Sequence, residues 1–558
     1  MIKLEDLPHE IIFHISNHLN QNELLNLLCT SSNLYNLLHP RLYSAINIDS
    51  SKKIFTDFKV DDLKYSVIPN YYDDGFIKVK PVTVSSLYSL NLLFKNLISH
   101  PRYCSYVRVL IFNKKIPDIP DLELYKILTI LSGNLKHLKV FHWMNDQYNL
   151  SNKFISDLTL IELKGNLTVD KGTSLSFPYL KSLELSNYNL QPVNFTNLPN
   201  LKELTISKLP NSNDRRNLNS NHWENKDLKS NVSAIFNPEN QLSTKLNLTK
   251  LTLKDLVISG DDVQALHKHI DLSKLTSLSM INCFESIYDQ DEMYEVRRRR
   301  IKTKFFLNEL SLKVNKQLEH LDIYMINELN YNNKLIKFLG DFKHLKSLKL
   351  SININEFENL NSNLISIFKS ISNEIERFEF NYNLIGNENH IKTMNHLNCD
   401  SKMLLILNKF PKLKYLNIPF HYDGSESIYD RLTTNLQIIS LRIHQDSITK
   451  KLSPKCNCLI NSGYFANTSL IADQFQPDDE CIVKYKATVN KLRKNVKSLK
   501  WIQLEFNDDS IIFQCLNDNN DKNENKNNNN NNKINEYGMV HREGLQNYFH
   551  KIIENQIV

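Results

Sequence analysis

Cys456 and Cys458, with Cys481 downstream, have the side chains that zinc takes as ligands, but structural zinc is usually held by two close ligand pairs. No second close pair follows. His137, His320 and His390 form no helical pair with a neighbouring acid, the arrangement a hydrolytic metal site needs. With 11 glycines in 558 residues there is no glycine-rich phosphate loop, and no serine or cysteine stands in a pattern that would activate it as a nucleophile. The residues therefore predict no metal, no cofactor and no catalysis, and chemistry gives way to binding.

Arg297 to Arg300 form the sharpest charge feature, and guanidinium groups suit bidentate recognition of phosphate. A nuclear address, a phosphate-binding patch or a contact to a phosphorylated segment would use such a run. A solvated face partnered by Glu292 and Glu295 is the plainer reading and the one adopted. Across the chain Lys plus Arg exceeds Asp plus Glu by 68 − 61, or +7, a mild bias that does not demand nucleic acid.

Elements that would position binding residues announce themselves as a repeat. An apolar residue, two variable positions, a second apolar residue, one variable position and a third recur at Val107/Leu110/Phe112, Leu135/Leu138/Val140, Leu158/Ile161/Leu163, Leu180/Leu183/Leu185 and Leu201/Leu204/Ile206. Further copies start at Leu248, Leu275, Leu318, Leu345, Ile375, Leu413, Leu436 and Leu499. The intervals from Leu135 to Leu158, Leu180 and Leu201 are 23, 22 and 21 residues. In an extended strand the last two apolar residues of each copy share one face, and the residues between them share the other. Ile375, Phe378, Phe380 and Asn383 make the best single copy, and the polar residue expected beyond the strand recurs as Cys283 and Asn353. The pattern resembles the leucine-rich-repeat family. That resemblance implies an α/β solenoid, a horseshoe with parallel strands on its concave side and helices on its convex side.

Interleaved positions on the concave face would then meet a partner. They include His137, Lys139, His320, Asp322, Tyr324, Lys349, Arg377, Tyr415 and Arg442, a basic and aromatic mixture suited to a partly acidic protein surface. Convex helices are predicted at Leu122 to Leu131, Asp262 to Ile270, Asn333 to Leu339, Leu364 to Ile371 and Met403 to Phe410. Leu307/Leu310/Leu312 also fits the strand pattern, but it starts 11 residues before Leu318, so both cannot be full repeats.

The first forty residues have a different period. Ile11, Ile12, Ile15 and Leu19 follow Leu7-Pro8 at helical spacing, and Pro8 suits a first helical turn. Asn20 and Glu23 are placed to start a second helix with Leu24, Leu25, Leu27 and Leu28, and Ser31 or Ser32 a third that is expected to stop near Pro40. So short a unit is hard to stabilise alone, and its leucine and isoleucine exceed what a private core uses. Leu4, Leu7-Pro8, Glu10, Ile11, Ile15, Leu19, Leu24, Leu27 and Leu34 resemble the F-box family, with Leu34 standing where an aromatic is often found. The resemblance implies that Leu7, Pro8, Glu10, Ile11, Ile15, Leu19, Leu24 and Leu27 dock on a Skp-type adaptor, and through it on a cullin-RING ubiquitin ligase. The rest of the chain would capture an unnamed protein substrate. The alternatives are an adaptor-bound scaffold without degradation, or a repeat-based binder of phosphorylated or nucleic-acid ligand.

The expected division is 1–45 F-box, 46–105 connector and lead-in helix, 106–510 solenoid with insertions, 517–535 asparagine-rich and disordered, and 541–555 a C-terminal helix. The connector carries a turn at Tyr71 to Gly75, the stretch from Asn211 to Lys229 is a loop, and Asn527 to Asn532 are consecutive asparagines. No run reaches about 18 apolar residues, which predicts no membrane span. Eight scattered cysteines and no signal-peptide core predict a reduced compartment, cytoplasm or nucleus.

Overall fold

Apolar residues three and four apart in the first forty positions fold as α1 (His9–His18), α2 (Gln21–Leu28) and α3 (Ser32–Ser44) in the computed structural model. The model describes residues 4–19, 21–50, 82–113, 116–145, 150–151, 158–168, 174–187, 194–208, 232, 245–285, 305–325, 332–354, 366–384, 409–419, 436–443, 492, 496–506, 509–515 and 534–541. Pro8 immediately precedes α1, where its missing N–H costs nothing. Ser31 caps α3 by accepting the Asn33 N–H at 3.2 Å, and its hydroxyl donates to Glu5 at 2.6 Å, tying the Leu4–Asp6 turn to that helix. Ile12, Leu24, Leu28, Leu34 and Leu38 close a small core, with Leu7, Leu19, Leu27, Leu37 and Leu42 against it.

The expected stop near Pro40 does not occur, because α3 runs through it to Ser44. An interior proline costs roughly 3 kcal/mol, so packing has to outweigh it. Leu38 is fully buried, and the His39 ring lies 4.8 Å from Tyr35, 5.1 Å from Tyr43 and 5.0 Å from Tyr103 between centroids. Those contacts hold the helix past its local breaker. The chain then passes directly into the strand Ala45–Ile48, which pairs in parallel with Val82–Val84 on one side and Val109–Phe112 on the other. Two sheet strands therefore come from the stretch expected to be connector. Its lead-in helix, α4 (Leu87–Ser99), is capped by Ser86, which accepts the Ser89 N–H.

From Val109 the strands add in sequence order, each parallel to the last, through Val140–Trp143, Glu162–Thr168, Ser182–Asn187, Glu203–Lys208, Lys250–Lys254, Ser277–Glu285, His320–Met325, Ser347–Ile354, Arg377–Leu384, Tyr415–Pro419, Ile438–Ile443 and Trp501–Phe506. With Ala45–Ile48 and Val82–Val84 this makes an open parallel sheet of 15 strands in a mixed α/β chain. One inward column runs Leu110, Phe141, Leu163, Leu183, Leu204, Leu251, Leu278, Leu321, Leu348, Phe378, Leu416, Ile439 and Ile502, and every member is buried. Helices Asp121–Ser132, Asp262–His269 and Asn332–Gly340 and the short helix 366–370 return the chain between strands, near their expected places.

Register corrects the phase of two repeats. In every other copy the first apolar residue stands three before the inward column, which makes the in-register sets Leu138/Phe141/Trp143 and Leu160/Leu163/Gly165 rather than those starting at Leu135 and Leu158. Leu135 and Leu158 are buried too, in the approach to each strand, and so imitate the pattern. In the second of these sets the third position is Gly165, whose missing side chain hides the true phase.

Further differences lie at the insertions and the far end. Leu307 and Leu310 are buried on a helix, Phe306–Ser311, and not on a strand, so the true repeat starts at Leu318. Trp501–Phe506, expected to be the last strand, is followed by antiparallel Asp509–Cys515 and Ile534–His541. Ile534–His541 thus takes residues expected to end a disordered run and to start a helix. Asn20, Tyr71 to Gly75, Asn211 to Lys229, Arg297 to Arg300, His390, Met403 to Asn408, the three cysteines Cys456, Cys458 and Cys481, Asn527 to Asn532 and the rest of the C-terminal helix lie outside the described residues.

Candidate functional site

On α1 the inward stripe is Ile12 and Ser16, both 1 % exposed, and the neighbouring stripe is Pro8, Ile11 and Ile15. Pro8 and Glu10 are exposed, Ile11 is 46 % exposed and Ile15 is half-buried. Leu7, Leu19 and Leu27 are half-buried against the helices' own core, and Leu24 is inside it. Leu24 therefore offers little surface to a partner. Leu34 is likewise a core residue, so the departure at that position does not alter the outer surface. Leu4, Phe13, Leu25 and Tyr35 are exposed as well. Phe13, Leu25 and Tyr35 are apolar or aromatic residues off the inward stripe, a spacing that the sequence itself carries.

This flank is held firmly to the sheet. The Tyr43 and Tyr103 rings stack at 4.9 Å, and α3 continues into a sheet strand without a linker. Arg41 on α3 donates to Ser16 on α1, whose hydroxyl donates to the Phe13 carbonyl at 2.8 Å.

The sheet face opposite the core carries the second group of expected binding residues. His320, Asp322, Tyr324, Lys349, Arg377 and Tyr415 fall on it as expected from the period-2 alternation, and Arg442 stands in register with Pro419 and Glu505. His137 and Lys139 do not, because the strand begins at Val140 and the face residues there are Val140 and His142. His137 is exposed in the turn before the strand, and Lys139 reaches Thr159 at 3.4 Å. Tyr415 is 1 % exposed, which removes it from any contact surface.

The expected basic character of this face also needs correction. Glu379, two residues beyond Arg377 on the same face, accepts two guanidinium hydrogen bonds from Arg377 at 2.5 and 3.1 Å and lies 3.6 Å from Lys349. Arg377 sits over the Tyr415 ring at 5.0 Å. The two cations share the one Glu379 carboxylate, which offsets part of their charge. Nearer the N-terminal end, Glu162 receives His142 at 2.9 Å and Lys164 at 2.7 Å. Burial opposes ionisation of Glu162, yet the His142 hydrogen bond and the Lys164 charge outweigh it and hold the carboxyl at about 2. Burial pushes the His142 imidazole down, against the hydrogen bond and charge of Glu162, which pull it up. This cluster pins neighbouring strands to each other.

Asp322 differs. Burial pushes its carboxyl up to about 6, with Glu379 adding to the shift and Lys349 and Arg377 opposing it. An acid whose folded pKa lies above its ordinary value of 3.8 costs no stability while protonated in both states, and costs increasingly as pH rises towards about 6. Asp322→Asn, which imitates the protonated form, should raise the melting temperature at pH 8 and leave it nearly unchanged at pH 3.5. Equal shifts at both pH values would show that ionisation is not the cause.

With the helices and the sheet in place, comparison with known proteins becomes informative. Residues 4–41 match the family model of the F-box domain. No curated protein sequence matches the chain. The match takes in α1, α2 and most of α3, and F-box domains bind Skp-type adaptors. Among the described residues no helix is long and apolar enough to cross a membrane, and no group of three or more metal-ligating side chains comes together.

Proposed function

We propose that the chain is the substrate-recognition subunit of an SCF-type cullin-RING ubiquitin ligase, docked through its F-box and holding a target protein on its sheet. One observation carries the reading: helices that match the F-box leave the Pro8, Ile11 and Ile15 stripe open to a partner. The sheet is read as a degenerate leucine-rich-repeat solenoid. Parallel strands adding in sequence order support this, as do the helices between them and the Cys283 thiol, which bonds to the Leu253 carbonyl of the preceding repeat at 3.3 Å. The receptor does no covalent chemistry. It raises the local concentration of a substrate near the transfer enzyme, in the cytoplasm or nucleus.

Co-expression with a Skp-type adaptor and a cullin-RING pair tests the reading. The full chain should elute with all of them as one complex, and a protein that elutes alone, folded and without adaptor, overturns it.

A further inference from the structure

One register column just before the strands separates the two halves of the sheet. In the second half it alternates in sign and pairs with itself, Lys346 with Glu319 at 3.2 Å and Lys414 with Glu376 at 2.7 Å. In the first half it reads Arg108, Lys139, Ile161, Lys181, Lys202, each residue's amide bonded to the carbonyl of the one before at 2.7–2.8 Å. Among the described residues no carboxylate pairs with any of these four cations; the Lys139 amine meets only the Thr159 hydroxyl. Arg108, Lys181 and Lys202 are exposed and Lys139 is half-buried. His137 and Tyr179, both exposed and each two residues before a rim lysine, border the column. At about 4.8 Å per strand the cations span roughly 19 Å.

We infer that this rim is a docking track for an acidic segment of a partner protein, carrying carboxylate or phosphate side chains. The inference rests on the receptor reading and adds the chemistry of the cargo. Charge sets the sign of the ligand: among the described residues these four cations, two on each side of Ile161, lack the acids that Lys346 and Lys414 possess in the second half. Width selects a peptide over a nucleic-acid duplex. Glu203 occupies the next column along and Glu184 stands two residues further, so a broad polyanion would meet repulsion where a single extended chain would not, whereas Glu162 is already paired with Lys164. An extended segment of about six residues covers the track, and the Tyr179 ring is the kind of exposed aromatic that anchors such contacts.

The test uses the full chain in complex with its adaptor and four fluorescent probes: hexaglutamate, a phosphoserine counterpart, hexaglutamine and a twelve-base oligothymidine. One or both acidic peptides should bind in low salt and hexaglutamine should not, and the better of the two identifies the anion. The variant with Lys139→Gln, Lys181→Gln and Lys202→Gln should bind about tenfold more weakly or worse, while the variant with Lys346→Gln and Lys414→Gln binds as the parent does. Equal binding by the triple variant, or preference for the oligonucleotide over both peptides, overturns the inference. Adaptor co-elution should be unchanged in every variant, so loss of the cargo track and failure of the receptor reading are separate outcomes.

Discussion

Ile11→Asp is expected to abolish co-purification with a Skp-type adaptor and to leave the chain folded. Ile11 is 46 % exposed while its neighbour Ile12 is 1 % exposed, so the substitution changes the outward stripe of α1 and spares the core. Truncating a central apolar anchor costs about 2 kcal/mol or more. Aspartate adds to this by placing a charge where an apolar partner surface would bury it unpaired. The two terms together predict a loss of affinity of at least about a hundredfold. Pro8→Ala should act in the same direction with a smaller effect, whereas Leu7→Ala mixes contact with stability because Leu7 packs against the helices' own core. Calorimetric titration of adaptor into the purified variant decides it. Unchanged affinity with native circular dichroism would place the adaptor surface elsewhere.

The same contrast between Ile11 and Ile12 shows how much was legible before the structure. Period 3.6 located all three N-terminal helices, and period 2 placed His320, Asp322, Lys349 and Arg377 on one face. What it did not reveal depends on neighbours distant in sequence. A helix survived Pro40 because Tyr103, more than sixty residues on, packs on the His39 ring. Glu379 lies beside Lys349 only because two strands lie in register, a relation that the local spacing does not contain. The rim of lysines that meet no carboxylate among the described residues is hidden for the same reason. The spacing places Lys139 on the concave face, and its likeness to Lys181 and Lys202 emerges once the strands are aligned.

In the repeat Leu160/Leu163/Gly165 the hidden phase has a physical source that can be tested. Gly165 adopts φ +138°, a conformation that side chains rarely tolerate, and a Cβ built there would run into the backbone carbonyl of Trp143 on the adjacent strand. Trp143 cannot yield easily, since it is fully buried with its ring 4.7 Å from Phe112 and 6.3 Å from Phe141. Gly165→Ala therefore combines backbone strain of roughly 1–3 kcal/mol with a displaced strand, for a total of about 2–4 kcal/mol. Gly133 and Gly340 are the controls, because an added Cβ meets nothing within 4 Å at either. Alanine at Gly133, whose φ is −65°, should be neutral or stabilise by up to about 1 kcal/mol. A repeat array need not unfold in one step, so the readout is local hydrogen exchange. Amides of Val140–Trp143 and Glu162–Thr168 should exchange about thirtyfold faster or more in Gly165→Ala, by the conversion of 1.4 kcal/mol per tenfold, with Ile438–Ile443 unaffected. Parental protection at all three strands would mean that the chain accommodates a side chain at position 165, and the steric account of the masked repeat would be lost.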